Sequence, residues 1–131
     1  MAQTQRPVSP HLQVYKWSVT MASSIFHRAT GVALGVGTLV LAWWLIAAAT
    51  SDGAYALVQG FLGSIVGRVI MLGFLWSLIY HMMNGLRHLL WDLGYGFEIG
   101  TAQKSGWLVF IAATLATIAV AATMIVMGGR A

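Results

Sequence analysis

The stretch that decides the fold is residues 29–50, which read ATGVALGVGTLVLAWWLIAAAT. It contains no charged side chain, and at about 1.5 Å of rise per residue a helix of this length crosses a hydrocarbon core about 30 Å thick. Residues 107–128 are likewise uncharged, and residues 60–90 form a longer apolar run that polar side chains interrupt. The sequence therefore predicts an all-α integral membrane protein, a bundle of three helices in one transmembrane domain. The predicted helices span residues 22–50, 60–91 and 106–128, after a short polar N-terminal segment.

The composition points the same way. Of the 131 residues, 59% are hydrophobic and 8% are charged, whereas a soluble domain usually has about 25% charged residues. A chain this short cannot bury so much apolar surface in a core of its own, so a lipid bilayer must solvate much of it. The absence of cysteine excludes disulfides and cysteine-ligated iron–sulfur clusters in this chain. The basic residues are scattered, which argues against nucleic acid as a partner.

The distribution of positive charge predicts the orientation. Arg6, Lys16 and Arg28 precede or begin the first apolar stretch, whereas the loop expected over residues 51–60 has no lysine or arginine. The loop expected over residues 91–106 contains a lysine. Because positively charged loops stay on the cytoplasmic side, we expect the N-terminus and the second loop to be cytoplasmic.

Two pairs of glycines, Gly31 with Gly35 and Gly63 with Gly67, are spaced as in the GxxxG motif. Small residues at this spacing permit two helices to approach closely. The alternative is that these glycines simply occur within membrane helices.

One face of the second predicted helix is polar. His81, Gly85, His88 and Asp92 follow one another at steps of four, three and four, which places them on the same side of a helix. The two histidines are about 10 Å apart along the axis. Gly85 leaves an indentation between them, where a flat ring could approach the backbone.

Ionisable groups within a membrane segment are costly and indicate function. A neutral imidazole deep in the bilayer, such as His81, is a suitable haem iron ligand. Arg87 and His88 are then placed to meet the two propionates of that haem. The alternative for His81 is a hydrogen bond to a neighbouring helix, and for the arginine it is snorkelling to the headgroups. Since only one histidine lies deep in the membrane, a six-coordinate haem needs its second ligand from another chain.

The first helix enters the membrane through a second polar group, which contains Ser24, His27 and Arg28. The second helix runs antiparallel to the first and ends at the same membrane face. We therefore expect these residues to share one polar layer with Arg87 and His88, close to Asp92.

Three blocks of the sequence resemble the signature blocks of the succinate dehydrogenase cytochrome b subunit: residues 6–12 (RPVSPHL), residues 24–31 (SIFHRATG) and residues 81–94. The third block is most similar to the alphaproteobacterial and mitochondrial members. The resemblance implies that His81 is the axial ligand of the haem b iron. It also implies that His27, Arg28 and His88 lie near the haem propionates, and that Ser24 and Arg28 bind the quinone.

The resemblance further implies a role in succinate:ubiquinone oxidoreductase, in which electrons from succinate oxidation pass to ubiquinone. The expected partners are a second small membrane anchor that shares the haem, an iron–sulfur subunit and a flavoprotein. This chain lacks cysteines and a dinucleotide-binding signature, so succinate oxidation, and any catalytic residue for it, is expected in the partners. No transit sequence precedes Arg6, which favours a multi-pass protein of the bacterial inner membrane.

Three other interpretations stay open. The first is the anchor of a quinol:fumarate reductase, whose direction depends on redox potentials that a sequence does not reveal. The second is a b-type cytochrome of another redox complex, which would have more histidines within the membrane. The third is a haem-free structural or transport protein, which would tolerate His81→Ala.

Overall fold

The computed structural model describes residues 16–128, and they form four helices. Their bounds are Val19–Thr50 for α1, Asp52–Gly63 for α2, Ile65–Asp92 for α3 and Ile99–Gly128 for α4. In this part of the chain α1, α3 and α4 are long and apolar enough to cross a membrane. The predicted all-α membrane fold with three spans is therefore confirmed. Arg6 and the first signature block, residues 6–12, lie outside the described residues.

Helix α2 occupies the segment where the sequence analysis places a loop. Ser51 and Ser64 have extended backbones and cap the N-termini of α2 and α3. The Ser51 hydroxyl accepts a hydrogen bond from the backbone N–H of Ala54 at 3.2 Å, and the Ser64 hydroxyl accepts one from Gly67 at 3.1 Å. Serine is among the best N-cap residues because its oxygen satisfies a free backbone N–H. The predicted continuous helix from residue 60 is therefore wrong, since Ser64 ends one helix and starts the next.

The turn between α3 and α4 is shorter than predicted. Gly94 adopts a φ of +88°, a left-handed conformation that suits glycine. The N–H of Gly94 donates to the Trp91 carbonyl at 2.8 Å, and the N–H of Tyr95 donates to the Leu90 carbonyl at 3.0 Å. This pair of bonds is a Schellman motif, which ends α3 sharply. As a result α4 begins at Ile99 rather than at the predicted residue 106.

Helix α3 lies at the centre of the bundle and contacts α1, α2 and α4. Its Tyr80 packs with Val109 and Ala113 of α4 in the buried core. We call the end of the bundle where α1 begins, α3 ends and α4 begins the polar end. The opposite end, where α1 ends and α2 lies, is the apolar end. Along both, most large apolar side chains face outwards, as expected of a protein solvated by lipid or by partner subunits.

Two glycines of α1 bring it close to α3. A Cβ atom at Gly31 would lie 3.1 Å from Cε1 of His81, and one at Gly37 would overlap the ring of Phe74. A Cβ at Gly35 would meet nothing within 4 Å. The close approach expected from the first GxxxG pair is therefore present at Gly31 alone, and Gly37, outside the motif, makes the tighter contact.

Candidate functional site

His81 projects from α3 against α1, close to the polar end. Its Nδ1 atom lies 3.1 Å from the carbonyl oxygen of His27 and 3.2 Å from Oγ1 of Thr30. Within residues 16–128 no hydrogen bond reaches its Nε2 atom. The hydrogen bond to a neighbouring helix, which was the alternative to a ligand role, is thus present at Nδ1. Nε2 is still available to bind a ligand.

Three histidines form a cluster at this site. The His27 ring stacks on the His81 ring, with centroids 4.0 Å apart and planes inclined by 11°. The centroids of His27 and His88 are 5.2 Å apart. All three side chains are half-buried, and Nδ1 of His27 is buried without a hydrogen-bond partner among the described residues. No group of three histidine or acidic side chains in that part of the chain converges on one point that could hold a metal ion. The stack therefore offers separate ligands and donors rather than a cage for a bare ion.

The expected polar layer is present where α1 begins and α3 ends. The His27–His88 contact joins the two helices, and the Arg87 guanidinium donates to the Ser23 hydroxyl at 3.1 Å. Ser24 is half-buried and Arg28 is exposed. These two residues are four apart, so they share a face of α1 adjacent to the one that carries His27. Neither side chain makes a hydrogen bond within the described part of the chain.

Arg87 turns into the bundle, where protein acceptors bind its guanidinium, so this arrangement does not support the predicted contact with a propionate, which stays a prediction. Its side chain is only 5% exposed, which excludes snorkelling. It turns into the bundle because four acceptors on three helices converge there. The guanidinium donates to Ser23 Oγ, Asn84 Oδ1, Ser105 Oγ and the Ala102 carbonyl, at 3.1, 3.2, 2.9 and 2.7 Å. It also lies 4.1 Å from the centroid of the Trp91 ring, a cation–π contact.

Ser23 was missed by the sequence analysis, although it anchors the turn that carries Ser24 and His27. Its hydroxyl accepts from Arg87, and its carbonyl accepts a hydrogen bond from the Tyr80 hydroxyl at 3.1 Å. A usable signal was its position four residues before His27, which places both on the same side of α1.

The space beside Gly85, where the sequence predicts an indentation, is open. A Cβ atom built there would meet nothing within 4 Å, so space is left beside the face of α3 that carries His81 and His88.

These features define a class: an α-helical integral membrane protein with three spans and a cluster of ligand-type residues at one end. The family model described as "Succinate dehydrogenase/Fumarate reductase transmembrane subunit" matches residues 2–120. The chain belongs to this family.

Relatives with known names agree with the family. The chain is 49% identical over 100 residues to the succinate dehydrogenase cytochrome b556 subunit of Paracoccus denitrificans, covering 76% of this chain and 77% of the relative. It is 40% identical to the cytochrome b556 subunit of Rickettsia felis, over 87% of this chain and 89% of the relative. It is 38% identical to the mitochondrial cytochrome b560 subunit of Sus scrofa, over 91% of this chain and 72% of the relative. The resemblance found in the three sequence blocks is confirmed.

Proposed function

We propose that this chain is the cytochrome b anchor subunit of a succinate:ubiquinone oxidoreductase in a bacterial inner membrane. In this proposal His81 is an axial ligand of haem b, which the chain shares with a second small anchor subunit. Ser24 and Arg28 contribute to the site where ubiquinone is reduced. The observation that carries the proposal is the arrangement at His81, whose Nδ1 is hydrogen-bonded and whose Nε2 is left for a ligand bond.

The residues at this site fit a haem. Histidines that bind a metal almost always donate their other ring N–H to a carbonyl or carboxylate, and Nδ1 of His81 has the His27 carbonyl within reach. The space beside Gly85 lies on the same face. The buried, unpartnered Nδ1 of His27 and the ring of His88 offer donors for propionates, together with Arg28 at the edge of the site. Haem b, when bound, supplies a one-electron carrier within the membrane.

Ser24 and Arg28 suit the binding and reduction of a quinone. The serine hydroxyl can donate a hydrogen bond to a quinone carbonyl oxygen. The arginine can stabilise the negative charge that builds on the quinone oxygens as electrons arrive. The spacing of four residues presents both groups to one ligand on the same face of α1.

The proposed partners are those that the family implies: a second small membrane anchor, an iron–sulfur subunit and a flavoprotein. The sequence agrees with this division, because the chain has no cysteine to ligate an iron–sulfur cluster and no dinucleotide-binding signature. Electrons therefore enter from outside this chain, and its part is to anchor, to carry electrons and to bind quinone. The anchor of a quinol:fumarate reductase is the second candidate, because the description of the family names both enzymes.

The test is a reduced-minus-oxidised visible spectrum of the purified complex, with the wild type beside His81→Ala. We expect a low-spin b-type signal in the wild type and its loss, or conversion to high spin, in the variant. His11→Ala is the matched control, a histidine of the N-terminal segment whose replacement should leave the spectrum unchanged.

Two results would overturn the proposal. If the wild-type complex contains no haem, the chain has no role as a haem ligand and serves as a membrane anchor. A His81→Ala variant with an unchanged spectrum would place the ligand on another residue.

A further inference from the structure

We propose that Thr30 is a positioning residue for His81: its hydroxyl helps to hold the proton of the imidazole on Nδ1 and fixes the orientation of the ring. This inference rests on the proposed role of His81 as a haem ligand, and it assigns that ligand a second partner on α1.

The Thr30 hydroxyl is placed to accept a hydrogen bond from His81. It is 3% exposed, and its oxygen lies 2.7 Å from the Phe26 carbonyl and 3.0 Å from the His27 carbonyl. Carbonyl oxygens do not donate, so each of these two can accept the hydroxyl proton of Thr30. A lone pair of Oγ1 is then left for Nδ1 of His81, 3.2 Å away.

Both neighbours of His81 Nδ1 are therefore acceptors. The second is the His27 carbonyl at 3.1 Å. An unprotonated Nδ1 would place its lone pair against the lone pairs of two oxygen atoms, which is unfavourable because His81 is half-buried. A neutral His81 consequently carries its proton on Nδ1 and has a free lone pair on Nε2, which is the tautomer that binds iron through Nε2.

The ring is also held in place on two sides. Gly31 leaves just enough space for Cε1, the atom between the two ring nitrogens, because a Cβ there would lie 3.1 Å away. The His27 ring covers one face of the imidazole at a centroid distance of 4.0 Å. The Thr30 hydroxyl adds a second hydrogen-bond acceptor beside the His27 carbonyl. Two acceptors restrict rotation of the ring more than a single acceptor does.

A hydrogen bond donated by Nδ1 makes the imidazole a stronger electron donor, which favours ferric over ferrous haem. Loss of the Thr30 hydroxyl should weaken this effect while the His27 carbonyl preserves part of it. We expect a shift of roughly two- to tenfold in the ferric-to-ferrous ratio towards ferrous at a fixed potential. The upper value corresponds to about 59 mV for a one-electron couple.

The experiment compares Thr30→Val and Thr30→Ser in the intact purified complex. Valine keeps the shape of threonine without the hydroxyl, and serine keeps the hydroxyl. Thr38→Val is the matched control on the same helix, because among residues 16–128 the Thr38 hydroxyl bonds only to the carbonyl of Gly35 in its own helix. The measurements are a redox titration of the haem absorbance and the low-spin EPR spectrum of the ferric form, which reports the orientation of an axial imidazole.

We expect Thr30→Val to raise the haem potential and shift the EPR g values, while Thr30→Ser and Thr38→Val match the wild type. Loss of haem in Thr30→Val with retention in Thr30→Ser would also support the inference. It would be overturned by an unchanged potential and EPR spectrum in Thr30→Val, or by equal effects in the valine and serine variants. Absence of haem from the wild-type complex would instead refute the proposed function itself.

Discussion

The two ends of the bundle are held together in different ways. At the polar end, hydrogen bonds from Tyr80, His81 and Arg87 cross between helices. Towards the apolar end, the one hydrogen bond between side chains of different helices among the described residues is that from Trp76 to Thr114, at 3.2 Å. An open cavity of about 780 Å³ lies there between α1, α2 and α3, with Trp44 and Phe74 among its apolar lining. The polar end can therefore position its side chains without help, whereas the apolar end depends on apolar contact with its surroundings.

Of the substitutions that test this difference between the two ends, removal of the Arg87 side chain should change the free energy of unfolding most. Arg87→Ala removes the donor from two buried acceptors, Ser23 Oγ on α1 and Asn84 Oδ1 on α3, and each such group costs about 1–3 kcal/mol. We expect the free energy of unfolding to fall by about 3–5 kcal/mol, measured by denaturant titration of the chain in detergent. Arg68→Ala is the control, an exposed arginine on the same helix at the apolar end, and should change stability by less than about 0.5 kcal/mol. Equal effects of the two variants would show that the polar end is not held by its hydrogen bonds.

Two glycines that line the cavity provide a smaller test at the apolar end. In Gly37→Ala the new methyl group would overlap the Phe74 ring, so we expect a loss of about 1–3 kcal/mol from overpacking. In Gly73→Ala the methyl group would meet nothing within 4 Å, so stability should stay the same or increase by up to about 1 kcal/mol. Thermal unfolding of both variants in one detergent measures the difference. If Gly37→Ala does not lower the stability, the contact between α1 and α3 at this end can repack around the added methyl group.

Tyr80→Phe should have the smallest effect. The variant keeps the buried ring but removes the hydrogen bond to the Ser23 carbonyl, for an expected loss of about 1 kcal/mol. Tyr95→Phe, at an exposed position in the turn before α4, should leave stability unchanged. If Tyr80→Phe is as stable as the wild type, the hydrogen bond from Arg87 is sufficient to hold Ser23 in place.

The three spans could be predicted because hydropathy and length decide whether a segment crosses a bilayer. Helix α2 was missed, although Ser51 and Ser64 gave the signal for it. Each serine stands at the start of a helix as an N-cap, but a long apolar run that continues past Ser64 obscures the break. The boundary between α2 and α3 is therefore set by the N-cap at Ser64, which a hydropathy pattern does not reveal.

The site was predicted in part for a similar reason. The contact of His27 with His88 follows from helical spacing and the antiparallel course of α1 and α3, and it is present. The orientation of Arg87 and the contact of Thr30 with His81 depend on how each helix is rotated about its axis. Hydropathy does not report this rotation in a membrane protein, because the faces towards lipid and towards other helices are both apolar. The roles of His81, Ser24, Arg28 and the other site residues stay predictions.

The buried guanidinium of Arg87 has a consequence for biosynthesis. Two of its four acceptors, Ser105 and the Ala102 carbonyl, belong to α4, the last of the described helices to leave the ribosome. Until α4 is made, an arginine in the membrane costs about 2.5–3.5 kcal/mol at the helix centre, less towards the headgroups. Helix α3 should therefore reach its final depth only after α4 has been inserted, so the last helix synthesised completes the site that the first helix begins.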